Sequence, residues 1–278
     1  MAFSADEIAG HPALHRVVRS QAKALLAAYQ SSPRLSSVFA TQQRWLMAHA
    51  GLALYFRQGA LTTARFLQLV EQHSVASRNT ADAFIKEMLQ YNYVELLPGT
   101  DRRSNPLRPT DQTLQTLAAW AVVHLTTLDG LDGGRRLEAF ASRPDALSRL
   151  EPLIADGLLT SSPIRSPEKT FSLFTWLNNG GVVMEWLISG VEPGLIEQDR
   201  IPTGVVSIGE FASLLKLSRT HLARKLREAE DLGSVGWLGQ RGNSTMWLSR
   251  GFYHEYMGAQ AVKLAIIDEA FEQGLTAA

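Results

Sequence analysis

The chain has 278 residues, 45% of them hydrophobic and 19% charged, enough for one large or two ordinary domains and too apolar for extended disorder. Lys+Arg and Asp+Glu both number 27, so the formal net charge is zero and any nucleic-acid-binding surface has to be a local one. The absence of cysteine excludes disulfides, thiol catalysis and Cys-ligated zinc, and it suits a reducing, cytoplasmic setting.

The opening Met-Ala-Phe-Ser-Ala-Asp-Glu lacks a basic region followed by an apolar one, so no secretory leader is expected. His11 to Tyr29 places Leu14, Val17, Val18, Leu25 and Leu26 near one helical face, and Ser31-Ser32-Pro33 breaks the pattern. Thr41 to Arg57 reads as a second apolar helix, with Gly59 as its stop. Thr62 or Thr63 caps a helix to about Gln72, and Ser77 caps another to about Tyr91.

Tyr93 to Leu97 predicts a strand, Pro98 to Asp101 a turn, and Pro106 to Arg108 a short return strand kept to an edge by its prolines. Thr110-Asp111 caps a helix to about Leu128, and Gly130, Gly133 and Gly134 mark a break. Pro144 to Ile154 and Pro167 to Ile188 then read as helical, the second as one apolar stretch, with Ser161-Ser162-Pro163 between them. The longest apolar run, around Gly180 to Val191, contains Glu185 and falls short of the roughly 20 residues that span a bilayer, so no membrane association is expected. Gly190 to Gly204 reads as a loop. Ser207 to Leu215 and Ser218 to about Asp231 are helices, Val235 to Leu238 and Thr245 to Leu248 are strands around Gly239-Gln240-Arg241-Gly242-Asn243, and Arg250 to Gln273 is a closing helix.

The order of elements recurs. Pro12 matches Pro144 at a spacing of 132, Ser31-Ser32-Pro33 matches Ser161-Ser162-Pro163 at 130, and Trp45-Leu46 matches Trp176-Leu177 at 131. The caps Ser77 and Ser218 are 141 apart, the added length being placed in the loop at Gly190 to Gly204. The expected architecture is therefore mainly α with small β-hairpin wings, arising by internal duplication, with units at 1–131 and 132–278.

The segment from Ser207 to Leu222 carries the chemistry. Ala212 is small where two helices must approach, Phe211, Leu215, Leu217 and Leu222 fill the space between them, and Ser218 caps the second helix. This spacing resembles the helix-turn-helix, whose second helix enters the major groove. From Lys216 to Arg227 there are five basic residues (Lys216, Arg219, Arg224, Lys225 and Arg227) and no acidic one. Beside the cap Ser218, itself a candidate DNA contact, Arg219, Thr220 and His221 are candidates for reading base edges, with Arg224 and Lys225 holding the backbone. Gln240, Arg241 and Asn243 are the candidate contacts of the following hairpin. In the first half the corresponding candidates are Ser77, Arg78, Asn79 and Lys86, where Asp82 and Glu87 offset the positive charge.

The stretch Leu97-Pro-Gly-Thr-Asp101-Arg102-Arg103-Ser-Asn-Pro-Leu107-Arg108-Pro-Thr110 resembles the wing of the MarR family of bacterial regulators, with its Asp-x-Arg turn and return strand. The resemblance covers Thr41 to Leu128, and more loosely Ser207 to Gln273. It implies a tandem winged helix-turn-helix protein that binds double-stranded DNA and regulates transcription, Asp101 bracing the wing and Arg102 or Arg103 entering the minor groove. It further implies a small aromatic or anionic effector. The chain departs from the family in carrying two units, which suggests a pseudo-dimeric monomer or a homodimer, and its second wing lacks the Asp-x-Arg pattern. Two other functions use such folds: a plasmid-type replication initiator with tandem winged helices, and a protein-interaction scaffold.

No enzymatic site, cofactor or metal is expected. His11 and His15 have metal-ligand spacing without an evident third ligand and read as a solvated pair. Gly239 to Asn243 lacks the strand–loop–helix order of a phosphate loop. Glu228 and Glu230 read as solvated, and Trp45, Tyr55, Phe56, Trp176 and Trp186 as core aromatics.

Overall fold

The computed structural model describes residues 1–31, 41–97, 105–167, 169–177, 179–204 and 207–276. These are mainly helical, with two small antiparallel sheets. The chain forms two compact units, one of Met1–Ser4, Gln43–Arg165 and Lys263–Ala278, the other of Ala5–Gln42 and Ser166–Val262. The units differ from the expected halves because the leading helices change places: residues 5–31 pack in the second unit, and residues 133–165 pack in the first.

In the second unit, α1 (Ala5–Ala9) and α2 (Leu14–Ser31) open the chain. In the first unit, α3 (Gln42–Gln58) buries Leu46, Met47, Ala50 and Leu54. Helices α4 (Thr63–Gln72) and α5 (Arg78–Gln90) follow, Thr62 and Ser77 accepting from the Arg65 and Thr80 amides as N-caps. Phe66 and Phe84 stack between them with ring centres 6.1 Å apart. Strands β1 (Val94–Leu96) and β2 (Leu107–Pro109) pair with Leu96 opposite Leu107, and Leu61 bridges the outer side of Leu107.

Helix α6 (Asp111–Asp132) runs through Gly130, and only Gly133, at φ 72°, ends it. The cause is tertiary: Asp129 accepts the Arg136 and Leu137 amides at 2.8 and 3.0 Å and so starts α7 (Arg136–Ala141). Arg136 in turn donates to Asp268 at 2.6 Å and Asp132 at 2.9 Å, and the Phe3 amide donates to Asp268 at 2.8 Å. Helix α8 (Ala146–Thr160) continues past Ile154, with Pro152 inside it, and Ser162-Pro163 starts the short α9 (Ser162–Arg165) rather than ending the helical section.

In the second unit the apolar helical region expected over Pro167 to Ile188 is divided into two helices, α10 (Lys169–Thr175) and α11 (Gly180–Ser189). Asn179 between them is left-handed at φ 57°, and a Cβ on Gly180 would overlap the Phe174 carbonyl, so the chain turns where hydropathy alone reads continuity. The predicted loop Gly190 to Gly204 contains strand β3 (Arg200–Pro202), which buries Ile201 and pairs with β5. Next come α12 (Ile208–Leu214), α13 (Arg219–Asp231), β4 (Val235–Trp237), β5 (Met246–Ser249) and α14 (Arg250–Phe271). The sheet order is β3-β5-β4. Among the described residues no helix is long and apolar enough to cross a membrane.

Candidate nucleic-acid interface

Helix α13 is held from beneath and open above. Phe211 and Ala212 of α12, Leu215 of the turn, and Leu222 and Leu226 of α13 are buried together. Ser207 caps α12 through the Glu210 amide at 3.3 Å, and Ser218 caps α13 through the His221 amide at 3.4 Å. The turn is made at Lys216, whose φ is 51°, and it closes with the Leu217 amide donating to Ala212 at 2.8 Å.

The outward face of α13 presents Arg219, Thr220, Ala223, Arg224 and Arg227 around one open depression, with Ala223 as its low point between longer side chains. Arg219, Thr220, His221, Arg224 and Arg227 are exposed. Arg227 joins the expected contacts as an addition to them, and its spacing of three from Arg224, which puts both on one helical face, is the sequence signal for it. Lys225 stands apart: its ammonium donates to Glu228 at 2.6 Å, and its side chain is only 19% exposed.

The two acidic residues expected to be solvated have specific partners. Glu228 takes Lys225 and lies 3.9 Å from Arg224, and Glu230 takes the Trp237 indole N–H at 3.0 Å and Arg241 Nε at 2.8 Å. Glu230 therefore ties the β4–β5 hairpin to α13, and Arg241 is a brace of the hairpin before it is a contact to anything else. The sequence signal for this brace is an indole N–H and a guanidinium in the hairpin that follows a helix carboxylate. Gln240 and Asn243 are exposed at the hairpin tip, where Gly242 adopts φ 77°. At the hairpin base a Cβ on Gly236 would come within 2.3 Å of the Trp247 ring.

The corresponding helix of the first unit is self-neutralised. Ser77 caps α5, and Ser77, Arg78, Asn79 and Thr80 are exposed. Arg78 lies 4.0 Å from Glu71, Lys86 lies 2.6 Å from Asp82, and Arg44 of α3 lies 2.8 Å from Glu87. Arg108 at the hairpin base donates to Glu95 at 2.7 Å. Asp101, Arg102 and Arg103 lie outside the described residues.

Elsewhere, His11 and His15 are not a solvated pair. His11 Nδ1 accepts the Ala13 amide at 3.2 Å, and His15 stacks on Tyr253 at 5.4 Å between ring centres. Burial, reinforced by His254, lowers the His15 pKa. Trp45 packs edge-on against His49 and Trp186 on Phe211, but both are only half-buried, as are Tyr55 and Phe56, and Trp176 is 61% exposed. Among the described residues no cluster of three or more His, Asp or Glu is arranged to hold a metal.

No protein-family model, curated protein or solved structure matches the chain.

Proposed function

We propose that this protein is a non-enzymatic, cytoplasmic regulator of transcription that binds double-stranded DNA sequence-specifically, with α13 and the β4–β5 hairpin as the principal reader and α5 with its hairpin as a weaker one. One observation carries the reading: a side-chain-capped helix exposes Arg219, Arg224 and Arg227 on one face, while Glu230 turns to the hairpin and Glu228 sits 2.6 Å from Lys225 and 3.9 Å from Arg224. Arginines on one open face of a helix neutralise phosphates, and Arg219, Thr220 and His221 at its N-terminal end stand where recognition helices meet base edges.

Support for a tandem winged arrangement comes from backbone details that recur at nearly constant spacing. Ser74 and Lys216 make the inter-helix turns at φ 50° and 51°. Each turn is closed in the same way, by the Val75 amide on Val70 and by the Leu217 amide on Ala212. Asn92 and Gly233 end the two second helices at φ 59° and 68°. The Leu61 amide donates to Leu107 as the Thr203 amide donates to Met246, both at 2.8 Å. The membership of residues 5–31 in the second unit and of 133–165 in the first is in keeping with a pseudo-dimeric monomer.

The test is selection of binding sites from random duplex DNA with the full chain and with Arg219→Ala. The reading expects an imperfect palindrome with half-sites about one helical turn apart, and loss of base preference in one half only. Equal loss in both halves would indicate two chains each using α13. Recovery only of iterated repeats would point to an origin-binding initiator, and no salt-sensitive binding at all to a protein-interaction scaffold.

A further inference from the structure

Beneath the turn that leads into α13 lies a buried polar contact made by a helix from the opposite end of the sequence. Tyr29, in the last turn of α2, is 4% exposed, and its hydroxyl donates to the Leu215 carbonyl at 2.6 Å. Leu215 is the C-cap of α12, so its carbonyl faces a chain reversal rather than another helical turn. The amides of the reversal go elsewhere, that of Lys216 to Ser213 and that of Leu217 to Ala212. Asn179, also 4% exposed, donates its amide to the Tyr29 hydroxyl at 3.3 Å and, more weakly, to the Leu215 carbonyl itself at 3.5 Å. Asn179 is itself pinned in the left-handed turn between α10 and α11, where Gly180 admits no side chain.

We propose that Tyr29 is a positioning residue for α13: its hydroxyl, oriented by Asn179, holds the Leu215 carbonyl and thereby sets the turn at Lys216 and the angle at which Arg219, Thr220 and His221 emerge. A non-glycine residue at positive φ is a conformation that the surroundings must impose. Here the imposed geometry sits three residues ahead of Arg219, so a small rotation at the turn moves the N-terminal end of α13 first. The consequence for DNA rests on the reading proposed above. Base selection at the N-terminal end depends on Tyr29, whereas phosphate contacts by Arg224 and Arg227, one to two turns further on, do not.

The test uses the full chain with Tyr29→Phe, which keeps the ring and removes the hydroxyl, and with Asn179→Gly, which keeps the left-handed backbone and removes the amide. In Tyr29→Phe, amide exchange at Leu217, His221 and Leu222 should accelerate about tenfold, the scale of one missing buried hydrogen bond, while β4, β5 and α14 keep wild-type rates. Asn179→Gly should give a smaller effect at the same amides. Affinity for the selected duplex should fall about five- to tenfold, with affinity for random duplex and the salt slope unchanged. Unchanged exchange at the turn, or uniform acceleration through the whole second unit, would overturn the proposal. If wild-type protein binds no DNA, the regulator reading fails, and the exchange pattern still decides whether Tyr29 holds the turn.

Discussion

His49 Nδ1 of α3 lies 2.7 Å from Glu151 Oε1 of α8, with the side chains 4% and 1% exposed. Burial pushes the Glu151 carboxyl above its ordinary range, opposed by the attraction of His49. The pair links two helices that are about a hundred residues apart in sequence but share the first unit. Removing one partner of a buried pair leaves the other without compensation, at a cost of about 3–5 kcal/mol. Glu151→Ala should therefore destabilise the first unit strongly. Urea denaturation monitored by amide exchange of α3 and α8 measures this, and a loss within about 0.5 kcal/mol of zero, the range of ordinary surface changes, would contradict the pairing.

A second histidine in the same unit sets a pH dependence. His124 is fully buried, and burial, reinforced by Lys263, holds its pKa well below 6.5 against the opposing bond to the Trp120 carbonyl. Because the folded pKa is depressed, the unfolded chain takes up the proton first. Stability from this group is thus present above pH 6.5 and is lost as the pH falls below it, by up to about 1.4 kcal/mol per pH unit. His124→Gln should remove this slope. Equal acid sensitivity of variant and wild type in denaturation series between pH 7.5 and 5 would show that His124 does not contribute.

Gly236 faces the Trp247 ring at a separation that leaves no room for a methyl group. Trp247 also carries Arg200 over its face, 4.9 Å from the ring centre. Gly236→Ala must displace the ring and should cost about 1–3 kcal/mol, as overpacking does. The hairpin amides from Val235 to Trp247 should exchange faster, and a variant as stable and as protected as wild type would refute this packing.

The exposed arginines of α13 predict a salt effect. Removing one side chain that neutralises a phosphate should reduce the slope of log affinity against log salt by about 0.9. Arg224→Ala with Arg227→Ala should lower the slope by about twice that amount without unfolding the chain. Arg78→Ala with Lys86→Ala should change it less, because Asp82 already holds Lys86 at 2.6 Å, whereas Arg224 and Arg78 each have a carboxylate only at 3.9 and 4.0 Å. Equal changes in the two double variants would make the two units equivalent readers.

Much of this organisation is local and legible in the sequence. Ser77 and Ser218 act on amides two or three residues away, and the apolar spacing of α2, α4 and α13 already specifies which face is buried. The basic run from Lys216 to Arg227 is a property of one helix and is plain in its composition. Tertiary structure decided what depends on distant partners. Lys225 and Arg241 became braces, and Arg227 stayed exposed, because Glu228 and Glu230 took particular neighbours. Strand β3 formed inside an apparent loop because β5 offered an unpaired edge, a pairing partner some 45 residues away that no local propensity encodes. The exchange of leading helices has the same origin: periodicity states that α2 and α8 must bury an apolar stripe, but not which unit receives it, because the buried area is similar against any complementary face.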